Sequence, residues 1–266
     1  METDYVAVYR DLYERHWWWR AREQAVLNVI SQVHVPRPGD RVLDIGCGDG
    51  LFFDKLAAFG DVEGIESDPG AVSDRGPYRS QIQVRSFDDS FVTPHRYRLI
   101  TMLDVLEHIE DSQAAAARVR TLLTHDGDFV ITVPAFRSLW TGHDVINRHV
   151  TRYTMATLKA ALEPAGLRLI RARYLFHWLA LAKVAVKLKE CLLGRCVSPP
   201  QVPPRPLNWL LGRITSAELR NGRGMGLPFG SSILAVARPY PGSKAPGLRQ
   251  EGGTQGNAMF HDSLHS

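Results

Sequence analysis

The sequence predicts an α/β protein of three layers, with helices covering both faces of a mostly parallel sheet. Three observations carry that expectation. Short apolar runs alternate with stretches of helical periodicity through most of the 266 residues. A glycine-rich turn, Gly46–Gly50, stands where one such run gives way to a helix. A composition of 44% hydrophobic and 23% charged residues fills a core and still wets an exterior, which excludes disordered and collagen-like chains.

The elements follow in order. Tyr5 to about Val33 reads as helix, with Ala21, Ala25, Val26, Val29 and Ile30 on its apolar side. Trp17, Trp18 and Trp19 cannot share one stripe, so at least one should line a groove or pack on a neighbour. Pro36 and Pro38 break the helix, and Arg41–Ile45 follows as a buried strand. A helix over 51–59 precedes strands at Val62–Ile65, Ile82–Val84 and Leu99–Leu103. Asp111 or Ser112 caps a helix to about Leu123. Phe129–Val133 is a strand ended by Pro134, and Thr154 caps a helix that Gly166 stops. Leu167–Tyr174 and Ser232–Ala237 are the remaining strands. The stretch 177–226 between them is too long to be structureless. It reads as an amphipathic helix to about Leu193, a proline-rich joint, and a second helix around Leu207–Leu219.

This gives a helical cap at 1–35, a core at 36–173 and a basic helical insertion or substrate lid at 174–226. The last strand, at 227–238, completes the core, and a tail at 239–266, rich in Gly, Ser, Pro and Gln, is expected to be disordered.

The net charge of +4 is unevenly spread: residues 174–226 hold eight Lys and Arg against two acids, leaving the rest of the chain at −2. A basic patch so local, interleaved with Leu, Val and Trp, suits an anionic surface or ligand group better than a nucleic-acid duplex. Its helix can close an apolar pocket, support a homodimer or rest peripherally on a membrane. Three cysteines without a paired CxxC predict a reducing compartment and no structural zinc. The opening residues lack an apolar export signal, and no run reaches the ~20 apolar residues that a membrane span needs. A cytoplasmic protein is expected, with contact at the inner membrane surface left open.

The chemistry concentrates in Val42–Gly50. Gly46 permits a tight strand exit, Gly48 lets the backbone approach a ligand, and Gly50 allows close packing at the helix start. Glu66 ends the second strand, where its carboxylate can accept from ribose hydroxyls. These features alone suit any nucleotide, a nicotinamide dinucleotide included. More specific are the runs Asp44–Gly50, Gly64–Pro69 and Met102–Asp111, with Thr132–Ala135 and the later His143, Asp144, His149, Arg152, Tyr153 and Thr154. Together they resemble the class I S-adenosylmethionine-dependent methyltransferases, in a bacterial branch that acts on small molecules.

That resemblance, over about residues 16–237, implies a Rossmann-like methyltransferase fold whose seven-stranded sheet ends in an antiparallel strand. It implies S-adenosyl-L-methionine as cofactor and S-adenosyl-L-homocysteine as product. Asp44, Gly46, Cys47, Gly48 and Gly50 would cradle the amino-acid portion, and Glu66, with Ser67 beside it, the ribose. Ser86, Phe87 and Asp88 would flank adenine, and Leu103 and Asp104 the methionine portion. Two departures stand out. Tyr97 and Arg98 open the fourth strand where relatives carry Phe–Asp, and Thr151 replaces the first Arg of His–x–Arg–Arg–Tyr.

Methyl transfer is an in-line displacement, so alignment dominates, and an oxygen acceptor must also lose a proton. The candidate bases are His149, His143 and His108, with Asp144 as a partner if the loop folds back. Trp18, Trp140, Arg152 and Tyr153 are candidates for contact with a small or lipid-like acceptor, anionic ones included. No metal site is expected, because His143, Asp144 and His149 lack a secure fourth group. Oxygen methylation leads. Carbon methylation, nucleic-acid methylation and a non-catalytic cofactor binder are the alternatives. The nucleic-acid reading is weakened by the absence of an Asn/Asp-Pro-Pro-aromatic motif and of any Pro-Cys pair.

Overall fold

The seven apolar runs pair into one sheet in the computed structural model, which describes residues 5–193, 200–221 and 227–240. The strands are β1 (Arg41–Ile45), β2 (Asp61–Glu66), β3 (Ile82–Val84), β4 (Tyr97–Leu103), β5 (Leu123–Pro134), β6 (Leu167–Leu175) and β7 (Ser232–Pro239), in spatial order β3-β2-β1-β4-β5-β7-β6. Only β7 runs against the others, antiparallel to both β5 and β6. The α/β, Rossmann-like architecture with its antiparallel last strand is therefore present as expected.

The helices are α1 (Tyr5–Arg15), α2 (Trp17–Val33), α3 (Phe53–Leu56), α4 (Ser112–Leu122), α5 (Gly142–Ile146), α6 (Met155–Leu162), α7 (His177–Leu193) and α8 (Arg205–Asn221). Strand residues alternate between two cores. Leu43, Ile45, Ile100, Met102, Ile131 and Ile233 face α4 and α6, while Val42, Leu99, Val130 and Leu234 face α2 and α3. The strand order reverses direction between β1 and β4, and the crevice at their carboxyl ends is where such sheets take ligands.

The structure departs from the sequence expectation in three places. The helix expected over 5–33 breaks at His16, whose extended backbone and Nδ1, accepting from Trp18 N at 3.1 Å, start α2 afresh. The helix expected over 51–59 shrinks to α3, because tight turns flank it, with Phe53 N donating to Gly50 O and Phe59 N to Leu56 O. A short helix, α5, for which the sequence carried no expectation, appears inside the loop after β5, built on a capping box between Thr141 and Asp144. The departure at Tyr97 and Arg98 also has a cause. Tyr97 is buried and donates to Glu63 Oε2 at 3.0 Å, while Arg98 bonds Asp126 at 2.6 Å and reaches Asp40 at 3.5 Å. The tail expected to be disordered lies, from residue 241 on, outside the described residues.

The three tryptophans divide as their spacing requires. Trp17 is buried against Trp178, at 5.2 Å between ring centroids, Trp18 packs by Phe176 at 5.9 Å, and Trp19 meets Tyr9 edge-on. The insertion thereby docks on the N-terminal helices, with Asn208 accepting from Trp17 N and donating to Arg15 O.

Candidate active site

The glycine turn forms at the end of β1 because Gly46 N and Cys47 N both donate to Ile65 O, tying the first two strand ends together. Gly46 has φ +74°, and a Cβ there would lie 2.3 Å from Val105 Cγ2. Gly48, at φ +53°, has open space where its Cβ would stand. Glu66 points at this turn: Oε2 accepts from Gly48 N and Oε1 from Asp68 N, both at 2.9 Å. Ser67 is exposed beside it. Asp44 lies beneath, almost fully buried and bonded by Thr101 Oγ1 at 2.6 Å, and burial pushes its carboxyl up to about 7. Burial also pushes the Cys47 thiol far above its ordinary range, so Cys47 packs rather than reacts.

Two basic side chains that the sequence did not single out reach this region from the N-terminal helices. Arg22 pairs with Asp104 and lies 5.1 Å from the centroid of the Trp18 ring, and Arg10 pairs with Asp49. Trp18 thus holds Arg22 in place. Asp104 adopts φ +57°, a backbone state uncommon for a non-glycine residue and concentrated at functional sites. No local signal could have found Arg22, which meets Asp104 across 82 residues of sequence.

The loop after β5 folds back on itself. Asp144, with no exposed surface, accepts at Oδ1 from Arg152 Nε at 2.8 Å and at Oδ2 from Arg152 Nη2 at 3.1 Å and Thr141 N at 2.9 Å. Its Oδ1 also lies 2.8 Å from His149 Nδ1. Burial alone would raise this carboxyl, but the bonds from His149 and Arg152 prevail and hold it well below the usual range. An ionised Asp144 takes the proton on His149 Nδ1 as a donor and leaves Nε2 with a lone pair. His149 Nε2 is 4.0 Å from Glu107 Oε1, and the His108 ring stands edge-on to it at 4.9 Å.

Glu107 is the residue that the sequence passed over. It is 1% exposed, neither carboxylate oxygen has a hydrogen-bond partner among the described residues, and burial together with Asp104 raises its pKa well above the ordinary value. One atom each from Glu107, His108 and His149 fall within 4.8 Å of one another. That is also a spacing for a divalent cation, in a cluster distinct from the His143, Asp144 and His149 that the sequence expectation weighed.

Other candidates sit apart from this cluster. His143 pairs through Nε2 with Asn147 Nδ2 at 2.9 Å and does not meet Asp144. Arg152, expected to clamp an anionic group, is 4% exposed with its donors spent on Asp144 and Ala135 O. Tyr153 is equally buried and donates to Leu106 O at 3.3 Å. Both fix the loop rather than face an acceptor. Trp140 is half-buried with Arg137 over its ring. Beyond β3, Phe87 packs toward Phe91 and Asp88 is exposed, capping Ser90 N. Lys183 on α7 carries a half-buried amine lowered to about 8 by burial and by Arg152, and no described carboxylate pairs with it.

A family model described as a methyltransferase domain matches residues 15–172. Among curated proteins, the chain is 28% identical over 167 residues to a ubiquinone biosynthesis O-methyltransferase of Paraburkholderia phymatum, covering 57% of this chain and 66% of that one. It is 26% identical over 154 residues to the Azorhizobium caulinodans protein of the same name, covering 50% and 61%. The chain thus spans less than two thirds of the length of these two relatives. Two solved structures share the fold. The partner bound to the Trm112 methyltransferase activator in Haloferax volcanii has a TM-score of 0.56 at 18% identity, with coverage of 88% and 94%. A SAM-dependent methyltransferase of Archaeoglobus fulgidus has a TM-score of 0.53 at 15% identity, with coverage of 88% and 99%.

Proposed function

This chain belongs to the methyltransferase domain family and uses S-adenosylmethionine; from that premise we propose that it methylates an oxygen atom of a small, largely apolar acceptor, with His149 as the base. The observation that carries this reading is the 2.8 Å contact between His149 Nδ1 and the buried, ionised Asp144.

The residues present fit the donor. Asp44 and Glu66 lie close enough for each to bear on the other's charge, an acidic setting suited to a cation. When bound, S-adenosylmethionine supplies an electrophilic methyl group on sulfur. Gly48 leaves backbone room for it, Glu66 would accept from the ribose hydroxyls, and Asp44 would serve the ammonium group. Ser67, Phe87 and Asp88 would border the adenosine, and Leu103 and Asp104 the methionine portion. His149 Nε2 would take the proton of the acceptor hydroxyl, and Asp144 would stabilise the imidazolium that results. Glu107, whose burial favours its protonated form, would offer a second hydrogen bond to that hydroxyl.

Because Arg152 is committed to Asp144, the cation available to an anionic group on the acceptor is Lys183, and Trp18 and Trp140 supply apolar contact. The relatives' name states O-methylation in ubiquinone biosynthesis, so hydroxylated acceptors of that pathway are the first to test. A second reading rests on Glu107, His108 and His149: a divalent cation held there would acidify the hydroxyl directly. No described helix is long and apolar enough to cross a membrane.

The test is transfer of labelled methyl to hydroxylated aromatic acceptors, before and after dialysis against a chelator. Label on oxygen that survives dialysis supports the His149 base. Activity that is lost and then restored by a divalent cation supports the second reading. Label found only on carbon overturns both.

A further inference from the structure

Helices α7 and α8 leave an unusual amount of apolar surface uncovered. On α7, Leu181, Val184, Leu188 and Leu192 form one stripe and are 65%, 45%, 60% and 82% exposed. On α8, Leu207, Leu210 and Ile214 form another, with Trp209 66% exposed. Single exposed leucines are ordinary, but two stripes on consecutive helices need a partner.

The charge beside them says which kind. Both acids in this stretch are turned inward: Glu190 accepts from Gly142 N at 3.2 Å, and Glu218 accepts from His177 N at 2.9 Å. Lys189, Arg205, Arg213 and Arg220 are exposed, and none pairs with a carboxylate among the described residues. Arg213 instead lies 5.8 Å from the Trp209 ring. The inward acids cap helices, and what the two helices show to solvent is cationic and apolar together. We propose that this face docks on a bilayer with anionic headgroups, the leucines entering the acyl boundary and the arginines and Lys189 meeting phosphates. A second copy of the chain is a poorer occupant, because a twofold contact would set the same unpaired cations against each other.

The surface also adjoins the candidate site. Lys187 on α7 donates to Ser138 O at 2.7 Å, and Glu190 holds Gly142, so the helix braces the loop that carries Asp144 and His149. The proposed docking surface and the loop of the candidate site thus meet on one helix.

The experiment is co-sedimentation of the full chain with phosphatidylcholine vesicles, with and without phosphatidylglycerol, at low and high salt. Binding is expected to require phosphatidylglycerol and to weaken with salt. Arg213→Gln and Arg220→Gln should each weaken it about fivefold, and Leu188→Glu with Leu192→Glu should abolish it. Calorimetric binding of S-adenosylmethionine by each variant verifies that it is folded. Failure to bind anionic vesicles, equal binding to neutral ones, or binding indifferent to these substitutions overturns the proposal. So does self-association that Leu188→Glu removes in a protein that ignores vesicles. Vesicle binding involves no methyl transfer, so this result and that of the activity assay stand separately.

Discussion

His149 meets Asp144 because the chain between them closes a turn, His149 N donating to Asp144 O at 2.9 Å while the two side chains lie 2.8 Å apart. The same carboxylate is gripped by Arg152, so one buried acid both orients a histidine and anchors the loop. This double use makes the roles of the two residues separable by mutation.

Replacing His149→Gln removes the base and leaves the Asp144–Arg152 pair. The rate of methyl transfer should fall about 10²–10⁴-fold, with S-adenosylmethionine affinity unchanged. Steady-state kinetics beside calorimetry reads both, and a loss of less than tenfold would assign the proton to another group.

Asp144→Asn acts on the fold as well. It leaves Arg152, almost fully buried, without its counter-ion, which costs about 3–5 kcal/mol. Thermal or urea unfolding should show a loss of that size, absent from His149→Gln. Equal stability in the two variants would mean that the pair does not anchor the loop.

Glu66→Ala should weaken S-adenosylmethionine binding by about 1.5–3 kcal/mol for each hydrogen bond to the ribose. Donor titration in a calorimeter measures it. Unchanged affinity would remove Glu66 from the cofactor site.

Asp44 gives the pH dependence. Its folded pKa, about 7, lies above its ordinary 3.8, so the folded chain binds the extra proton between these values. The stability this contributes is complete below pH 3.8 and is lost as pH rises through about 7. Donor affinity should move the other way, rising as Asp44 ionises to meet an ammonium group. In Asp44→Asn both trends should flatten, and a wild-type slope in that variant would reassign the titration.

Gly46→Ala forces a Cβ against Val105 and strains a backbone at φ +74°. Left-handed geometry alone costs roughly 1–2 kcal/mol for a non-glycine residue. Adding Val105→Ala should restore only the steric part, measured as a partial recovery of thermal stability.

What the sequence determined by itself is what local periodicity and local chemistry fix. All seven strands and the two insertion helices were legible, because apolar spacing reports which face of each element is buried; the antiparallel ending was implied by the family resemblance, since spacing carries no strand direction. The glycine turn and Glu66 were legible for the same reason: a positive φ and a strand-end carboxylate are set within a few residues. Arg152 and Tyr153 were misplaced because sequence shows a charge or a hydroxyl but not its burial. Arg22 at Asp104, and the Glu107–His108 pair beside His149, belong to tertiary structure alone. Each joins groups from different elements, and only the packing of those elements decides whether a carboxylate meets a cation, a histidine or nothing at all.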